Sequence, residues 1–256
     1  MLKRVYVSPL QFVKDLTEFY SSYADLTFQT DSVKDMNAVH PAYRTPVILN
    51  RELESALIPL AKEHPAITLQ TADLLWGSPF LEPRQLATCL LGVLPVDFIG
   101  PVLERIRKWS SVGENRELVQ LLHIRGTETI RQGEPGLWLN TLQEWAASKE
   151  DILQIQAVIG VLALVKDSNF DDLPSVFNFL QPLLVDPDPR LTVSLLTVVD
   201  ELAQRSEKET VFFLKHIIQL SDSPEVSRLI RRSLPFFSPP SQLSLKIFLK
   251  EHPESN

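Results

Sequence analysis

Prolines at the start of apolar segments are the feature that most limits the fold of this chain. Ser8-Pro9 and Ser223-Pro224 each precede a run rich in apolar residues, and the 256 residues include 19 prolines but only 8 glycines. Proline is well tolerated in the first turn of a helix, because the N–H that it lacks has no intrahelical partner there. Tight β-hairpin turns need positive φ angles, which glycine adopts most easily. The pattern therefore predicts many short helices and disfavours a hairpin-rich sheet.

Apolar residues recur at spacings of three and four along nearly the whole chain, and no region alternates as a strand does. Helices are predicted to begin near residues 9, 46, 65, 83, 97, 114, 135, 151, 170, 188, 207, 224 and 239. Asp97 is predicted to cap a helix that ends at Trp109. A single helix is predicted to follow Gly113 and to reach about Gln132. Residues 29–44 are polar and irregular, and we predict that they form a loop.

Similar tripeptides open three of these segments, at residues 82–84, 188–190 and 223–225. The prolines of the last two tripeptides are 35 residues apart, and those of the first two are 106 residues apart, about three such units. Helix pairs that recur at this period are typical of HEAT-like solenoids, in which neighbouring pairs stack to bury their apolar faces. We therefore predict an all-α fold, a HEAT-like repeat α-solenoid of antiparallel helix pairs. No clear linker interrupts the chain, so residues 1–256 are predicted to form a single domain.

The charge balance bears on the class of partner. The formal net charge is −7, whereas a protein that binds nucleic acid backbones usually has a basic balance or a basic stripe. A negative net charge is compatible with a local basic face but makes one less expected. No apolar stretch approaches the length of about 20 residues that a membrane span needs. The first residues, MLKRVYVSPLQF, lack the apolar core of a secretory signal, so we expect a cytoplasmic protein without membrane contact.

Sequence signatures of catalysis and of cofactor binding are missing. The chain has no GxxxxGK[ST] or GxGxxG segment for a nucleotide and no HExxH pair for a metal. We therefore predict no catalytic residue, no cofactor and no metal ligand from these motifs. Cys89, the single cysteine, occupies an apolar helical position and is predicted to be a buried structural thiol.

Tryptophans and arginines are the residue types that could contact a nucleic acid. Four tryptophans lie in the first 150 residues, at positions 76, 109, 138 and 145. Core filling is the favoured interpretation, and stacking on bases is the alternative. The densest basic clusters contain Arg105, Arg107, Lys108, Arg116, Arg125 and Arg131, and then Arg228, Arg231 and Arg232. Acidic residues lie near both clusters, which favours solvated helix faces over phosphate contacts.

The segment LWGSPFLEPRQLA at residues 75–87 resembles the helix-joint motif of the AlkD-like DNA alkylation repair family. The motif positions that we consider structural are Trp76, Ser78, Glu82 and Arg84. Residues 42–65, 139–167 and 223–253 resemble the same family in spacing, so the likeness covers most of the chain. The resemblance implies a single-domain HEAT-like solenoid. Glu82 and Arg84 are expected to support the helix start and an ion pair with a neighbouring turn.

The resemblance also bears on catalysis. Active members of that family are glycosylases, with an aspartate, an arginine and tryptophans in a concave groove. The family's Trp-x-x-x-Asp segment aligns with Arg116 to Gln120, and its Trp-x-x-Arg segment aligns with Leu153 to Gln156. The C-terminal tryptophan segment aligns with residues 231–235, which contain no tryptophan. No catalytic residue carries over, and an amide cannot place a negative charge beside an oxocarbenium-like transition state.

The resulting prediction is a non-catalytic relative of the repair glycosylases that binds DNA or another partner on its concave face. The predicted contact residues are Trp109, Arg116, Gln120, Gln156, Arg231 and Arg232. One alternative is a protein–protein interaction scaffold, which the acidic balance favours. The other is an active alkylpurine glycosylase with relocated catalytic residues, in which Glu117 would replace the missing acid.

Overall fold

The structure is a computed structural model that describes residues 7–24, 40–110 and 114–252. These ranges are helical with connecting turns and contain no strand, so the predicted all-α class is confirmed. The chain divides into two compact units, Met1–Pro135 and Gly136–Asn256. The arrangement of the helices as one HEAT-like solenoid domain stays a prediction.

The first unit is built around a pair of helices, α3 and α4, that are joined by a short turn. Its helices are α1 (Pro9–Ser22), α2 (Val47–Glu63), α3 (Pro65–Trp76), α4 (Leu81–Gly92), α5 (Ile99–Trp109), α6 (Arg116–Gly126) and α7 (Glu128–Gly133). A 3₁₀ turn at Val96–Phe98 precedes α5. Helix α4 packs against α2, α3 and α6, and it is therefore the central helix of this unit.

The second unit begins within α8, whose first residue is Pro135. Its helices are α8 (Pro135–Ala146), α9 (Asp151–Val165), α10 (Leu173–Val185), α11 (Thr192–Arg205), α12 (Glu207–Leu220), α13 (Pro224–Ser233) and α14 (Pro239–Glu251). A 3₁₀ turn at Leu234–Phe236 separates the last two helices. Helix α11 packs against α9, α12 and α13, and α12 also contacts α10 and α14.

Most of the predicted helix starts are confirmed. Helices α1, α3, α13 and α14 each have proline in the first turn, as the chemistry of that position predicts. Helix α10 begins at Leu173 and α11 at Thr192, three or four residues later than predicted. Residues 40–46 are non-helical, in agreement with the predicted loop, whereas residues 29–39 of that loop lie outside the described ranges.

Two local predictions in the first unit are wrong. Asp97 does not cap a helix: it lies inside the 3₁₀ turn that precedes α5, because the Phe98 N–H bonds to the Pro95 carbonyl at 2.9 Å. The single helix predicted up to Gln132 is broken at Thr127, between α6 and α7. The Thr127 hydroxyl donates to the His123 carbonyl, a bond to the preceding turn that often accompanies a bend in a helix.

Backbones approach most closely in the first unit where α4 meets α6. A Cβ placed on Gly92 would lie 1.7 Å from the carbonyl oxygen of Arg125, which leaves no room for any side chain. The Thr129 hydroxyl of α7 donates to the Gly92 carbonyl at 2.6 Å and links α7 to the end of α4. Glycine at position 92 is therefore required by the packing of the two helices.

The four tryptophans are buried, which confirms the prediction that they fill the core. Trp138 is fully enclosed, and its indole N–H donates to the carbonyl of Gly160 at 3.3 Å. Its ring meets that of Trp145 edge to face, with centroids 5.7 Å apart. This hydrogen bond satisfies the polar atom of a large apolar side chain that is buried in the second unit.

Within the described ranges, no single helix combines the length and the apolar composition of a membrane span. Taken together, Leu81–Gly92 and Val96–Trp109 reach that length and composition, but the pair is bent by 119°.

Complete burial of His123 makes the first unit sensitive to acid. Burial lowers the pKa of this imidazole to about 3, so the native chain keeps it neutral while the unfolded chain binds a proton below about pH 6.5. We expect the free energy of unfolding to fall by about 2 kcal/mol between pH 7 and pH 5 from this residue alone. Urea unfolding at the two pH values measures the loss.

The variant His123→Leu lacks the titrating group and should lose less stability over this pH window than the native chain. Substitution of His216, which is exposed in α12, should leave the loss unchanged. An equal loss in His123→Leu and in the native chain would contradict the assignment to His123.

Candidate functional site

Glu82 of the joint motif anchors a distant loop. Its side chain is buried in the first turn of α4, and its carboxylate accepts the backbone N–H of Tyr43 at 3.0 Å and of Arg44 at 2.6 Å. Arg44 has a φ of 57°, a conformation that residues other than glycine adopt infrequently. Hydrogen bonds to a charged acceptor are stronger than neutral ones, so Glu82 holds the segment that leads into α2.

Arg84 is the centre of a second group of contacts at the same joint. Its Nε donates to the carbonyl of Ser78 at 2.7 Å, and its Nη1 lies 2.6 Å from a carboxylate oxygen of Glu114. The guanidinium carbon is 5.3 Å from the ring centroid of Trp76, within cation–π range. Trp76 in turn stacks on Trp109, with centroids 4.6 Å apart and planes 6° from parallel.

Glu114, which directly precedes the N-cap residue of α6, completes this group of contacts. One carboxylate oxygen lies 2.5 Å from Nε2 of His40 and accepts the backbone N–H of Asn115 at 2.9 Å. Burial acts to raise the pKa of Glu114, but these hydrogen bonds and the charge of Arg84 outweigh it and lower the pKa below its ordinary value. The carboxylate is therefore ionised at neutral pH, and its oxygens are occupied by structural partners.

These contacts correct the expected partners of the motif. The ion pair of Arg84 is made with Glu114, 30 positions away, and Glu82 bonds to amides 38 and 39 positions away. Neither pairing is with a neighbouring turn. No sequence signal indicated that His40 and Glu114 belong to the joint, because both residues are at least 30 positions from Arg84 and reach it only through folding.

Among the predicted contact residues of the first unit, Arg116 and Gln120 lie together on α6. Arg116 is exposed at the first position of the helix, and Gln120 follows one turn later, half-buried. Arg116 makes no hydrogen bond or ion pair with any described residue. Asn115 caps the helix by accepting the N–H of Leu118 at 3.0 Å. A cation beside the positive end of the helix dipole is available to an anion from solution.

Trp109 and Gln156 are the two predicted contact residues that are buried. Trp109 has an exposed fraction of 4%, and its ring is covered by the stack with Trp76. Gln156 is 1% exposed on α9, a helix whose residues are apolar on every side and mostly buried. As placed, neither side chain reaches a partner at the surface. The apolar composition of α9 on all faces was the sequence signal for its burial.

Arg231 and Arg232, the predicted contact residues of α13, are both exposed in the second unit. They lie in the last turn of the helix, where a cation interacts favourably with the negative end of the dipole. The neighbouring Arg228, four residues before Arg232, belongs to the same basic cluster and is also exposed.

Nucleophilic or metal chemistry gains no support from the described residues. Cys89 is buried, and burial raises the pKa of its thiol to about 11, so the predicted buried structural thiol is confirmed. Within the ranges that the structure describes, no three His, Cys, Asp or Glu side chains are grouped as metal ligands.

A family model described as DNA alkylation repair enzyme matches residues 50–233. The match covers more than half of the chain and includes α3, α4 and the joint between them, so the chain belongs to this family. Neither a curated protein nor a solved structure matches the chain.

Proposed function

We propose that this protein binds DNA and does not release alkylated bases. The observation that carries the proposal is the pairing of family membership with Gln120 at the position where the resemblance expects the catalytic aspartate. Loss of a base leaves developing positive charge on the sugar, which a carboxylate stabilises and an amide dipole stabilises far less. In this proposal, the protein keeps the fold of the family and a cationic surface but does not catalyse release of the base.

The predicted contact residues that are not buried are the proposed DNA contacts. These residues are Arg116, Gln120, Arg231 and Arg232. In a HEAT-like solenoid, which we propose for the helices, they would lie on the concave face. Arginine binds phosphate through a planar fork of N–H donors. Burial of all four tryptophans further supports binding to the sugar-phosphate backbone of DNA, because no tryptophan is available to stack on an extruded base.

Fluorescence anisotropy of a labelled duplex, measured across a salt series, tests DNA binding. We expect affinity at low salt that decreases as salt rises, because bound cations release counterions from DNA. Arg116→Gln should weaken binding and reduce the salt slope by about 1, as expected for one lost phosphate contact. Lys62→Gln, an exposed substitution at the end of α2, is the matched control and should have no effect. Absence of any affinity at the lowest salt would exclude DNA binding.

Incubation with an alkylated duplex tests the absence of catalysis. We expect no released base. Release that Glu117→Gln or Arg116→Ala abolishes would instead support an active alkylpurine glycosylase with relocated residues. Glu117 is exposed on α6, where water screens its charge, and this disfavours such a role.

A protein–protein scaffold is the second candidate function. The formal net charge of −7 favours a basic protein partner over duplex DNA. A folded protein without salt-dependent duplex binding would support this candidate. A positive potential around Arg116 and Arg232 would favour DNA, and a negative one would favour the scaffold.

A further inference from the structure

An open cavity of about 140 Å³ lies in the second unit, between the approach to α11 and the face of α13. The residues that line it are Pro187, Pro189 and Thr192 on one side and Glu225, Arg228 and Arg232 on the other. Leu229, which is buried, contributes an apolar surface between the charged side chains. Prolines and a leucine exclude water from part of the wall, which strengthens the field of charges at the edge.

The charged groups leave this cavity with a net positive charge. Arg228 and Arg232 are four residues apart on α13, so their side chains lie on the same face of the helix. Nη1 of Arg228 lies 3.3 Å from Oε1 of Glu225, so one guanidinium offsets the one carboxylate. Arg232 has no hydrogen bond or ion pair with any residue in the described ranges. The cavity therefore offers a cation that has no counterion among the described residues.

The opposite wall also favours an anion. Thr192 is the first residue of α11, a helix of 14 residues, and the N-terminus of a helix carries partial positive charge. The Thr192 hydroxyl makes only a long contact, 3.4 Å, with the Asp188 carbonyl. The nearby carboxylate of Asp188 is engaged by Nε of Arg190 at 2.9 and 3.0 Å, and this pairing lowers the pKa of Asp188. Arg190 also pairs with Asp151 through Nη1, so its positive charge offsets only part of the charge of Asp188.

We propose that this cavity binds one phosphate group, carried by a DNA strand or free in solution. The guanidinium of Arg232 supplies paired N–H donors whose geometry matches phosphate oxygens, and Thr192 supplies a hydroxyl. The DNA source rests on the proposed function, whereas the affinity for a phosphate group does not. Glu225 opposes the anion: its Oε2 is enclosed by protein atoms and accepts no hydrogen bond from a described residue.

Titration with inorganic phosphate, followed by NMR of the arginine side-chain N–H groups, tests the cavity itself. We expect saturable shifts in the native chain, compared with chloride at equal ionic strength. Arg232→Gln should weaken phosphate binding by about tenfold. Lys246→Gln, an exposed substitution on α14, is the matched control and should leave binding unchanged. Glu225→Gln should strengthen binding by about threefold, an increase that damage to the fold cannot produce.

Duplex binding by the same variants identifies the source of the phosphate. If DNA supplies it, Arg232→Gln weakens duplex affinity by about three- to tenfold and lowers the salt slope by about 1, while Lys246→Gln does neither. If Arg232→Gln weakens phosphate binding but leaves duplex affinity unchanged, the cavity binds free phosphate. If the native chain then also fails to bind duplex DNA, only the proposed function is contradicted and the phosphate site stands.

The inference about the cavity has its own contrary result. If inorganic phosphate produces no saturable shift in the native chain and Arg232→Gln leaves duplex affinity unchanged, the cavity is not a phosphate site. Duplex binding through Arg116 would still support the proposed function in that case. The two proposals therefore fail on different measurements.

Discussion

Gly92→Ala is expected to destabilise the first unit by about 3 kcal/mol, at the upper end of the usual range for overpacking. The added Cβ would lie 1.7 Å from the Arg125 carbonyl oxygen and 2.8 Å from its carbon, and both are backbone atoms. A flexible side chain could turn aside, but relief here requires α4 and α6 to separate along their contact. Chemical denaturation, followed by circular dichroism, measures the change in the free energy of unfolding.

Gly100→Ala is the matched control for this substitution. Gly100 lies near the start of α5 and is exposed, and a Cβ placed there would meet no atom within 4 Å. Alanine has a higher helix propensity than glycine, so we expect a neutral effect or a gain of up to about 1 kcal/mol. Similar stability changes in both variants would show that helix propensity, and not the contact at Gly92, decides the outcome.

Arg84→Met is the other substitution with a large expected effect, a loss of about 3 kcal/mol. Methionine keeps much of the length of the side chain but removes its contacts with Ser78 and Glu114 and its charge over Trp76. The carboxylate of Glu114, whose side chain is 10% exposed, would then remain buried with His40 and without its guanidinium partner. Thermal and urea unfolding both measure the loss.

A double-mutant cycle separates the ion pair from the other contacts of Arg84. Arg84→Met combined with Glu114→Gln should lose less stability than the sum of the single variants, because the second change removes the stranded charge. Arg105→Met is the control, since Arg105 pairs with Asp73 at 2.6 Å but Asp73 is 43% exposed. We expect a loss below about 1 kcal/mol there. Strictly additive losses at positions 84 and 114 would contradict the coupling.

Helix positions were largely predictable from the sequence because their causes are local. Proline in the first turn and apolar residues at helical spacing act within one or two turns of chain, so α3, α9 and α13 begin where the sequence indicates. Thr127 shows the limit of this reasoning. Its hydroxyl bonds to the preceding turn and a new helix follows, although the apolar spacing continues through the break.

The contacts of the candidate site were much less predictable. Arg84 and Glu82 could be recognised as part of a motif, but the carboxylate that pairs with Arg84 and the amides that bond to Glu82 lie 30 or more positions away. The burial of Trp109 and Gln156 was also not predictable from the resemblance, because alignment with functional positions of a family does not measure burial. The cavity beside Arg232 depends on how α11 and α13 pack, and no spacing within one segment indicates it.

The joint between α3 and α4 has a consequence for the dynamics of the first unit. Residues 40–44, residues 78–84 and the segment that leads into α6 are held together there by hydrogen bonds of the Glu82, Arg84 and Glu114 side chains. If any one of these segments detached, a polar side chain in another segment would lose its hydrogen-bond partner. Partial opening is therefore disfavoured, and amide hydrogens at the joint should exchange mainly through cooperative unfolding. The three segments act as one unit of local stability although they are distant in the chain.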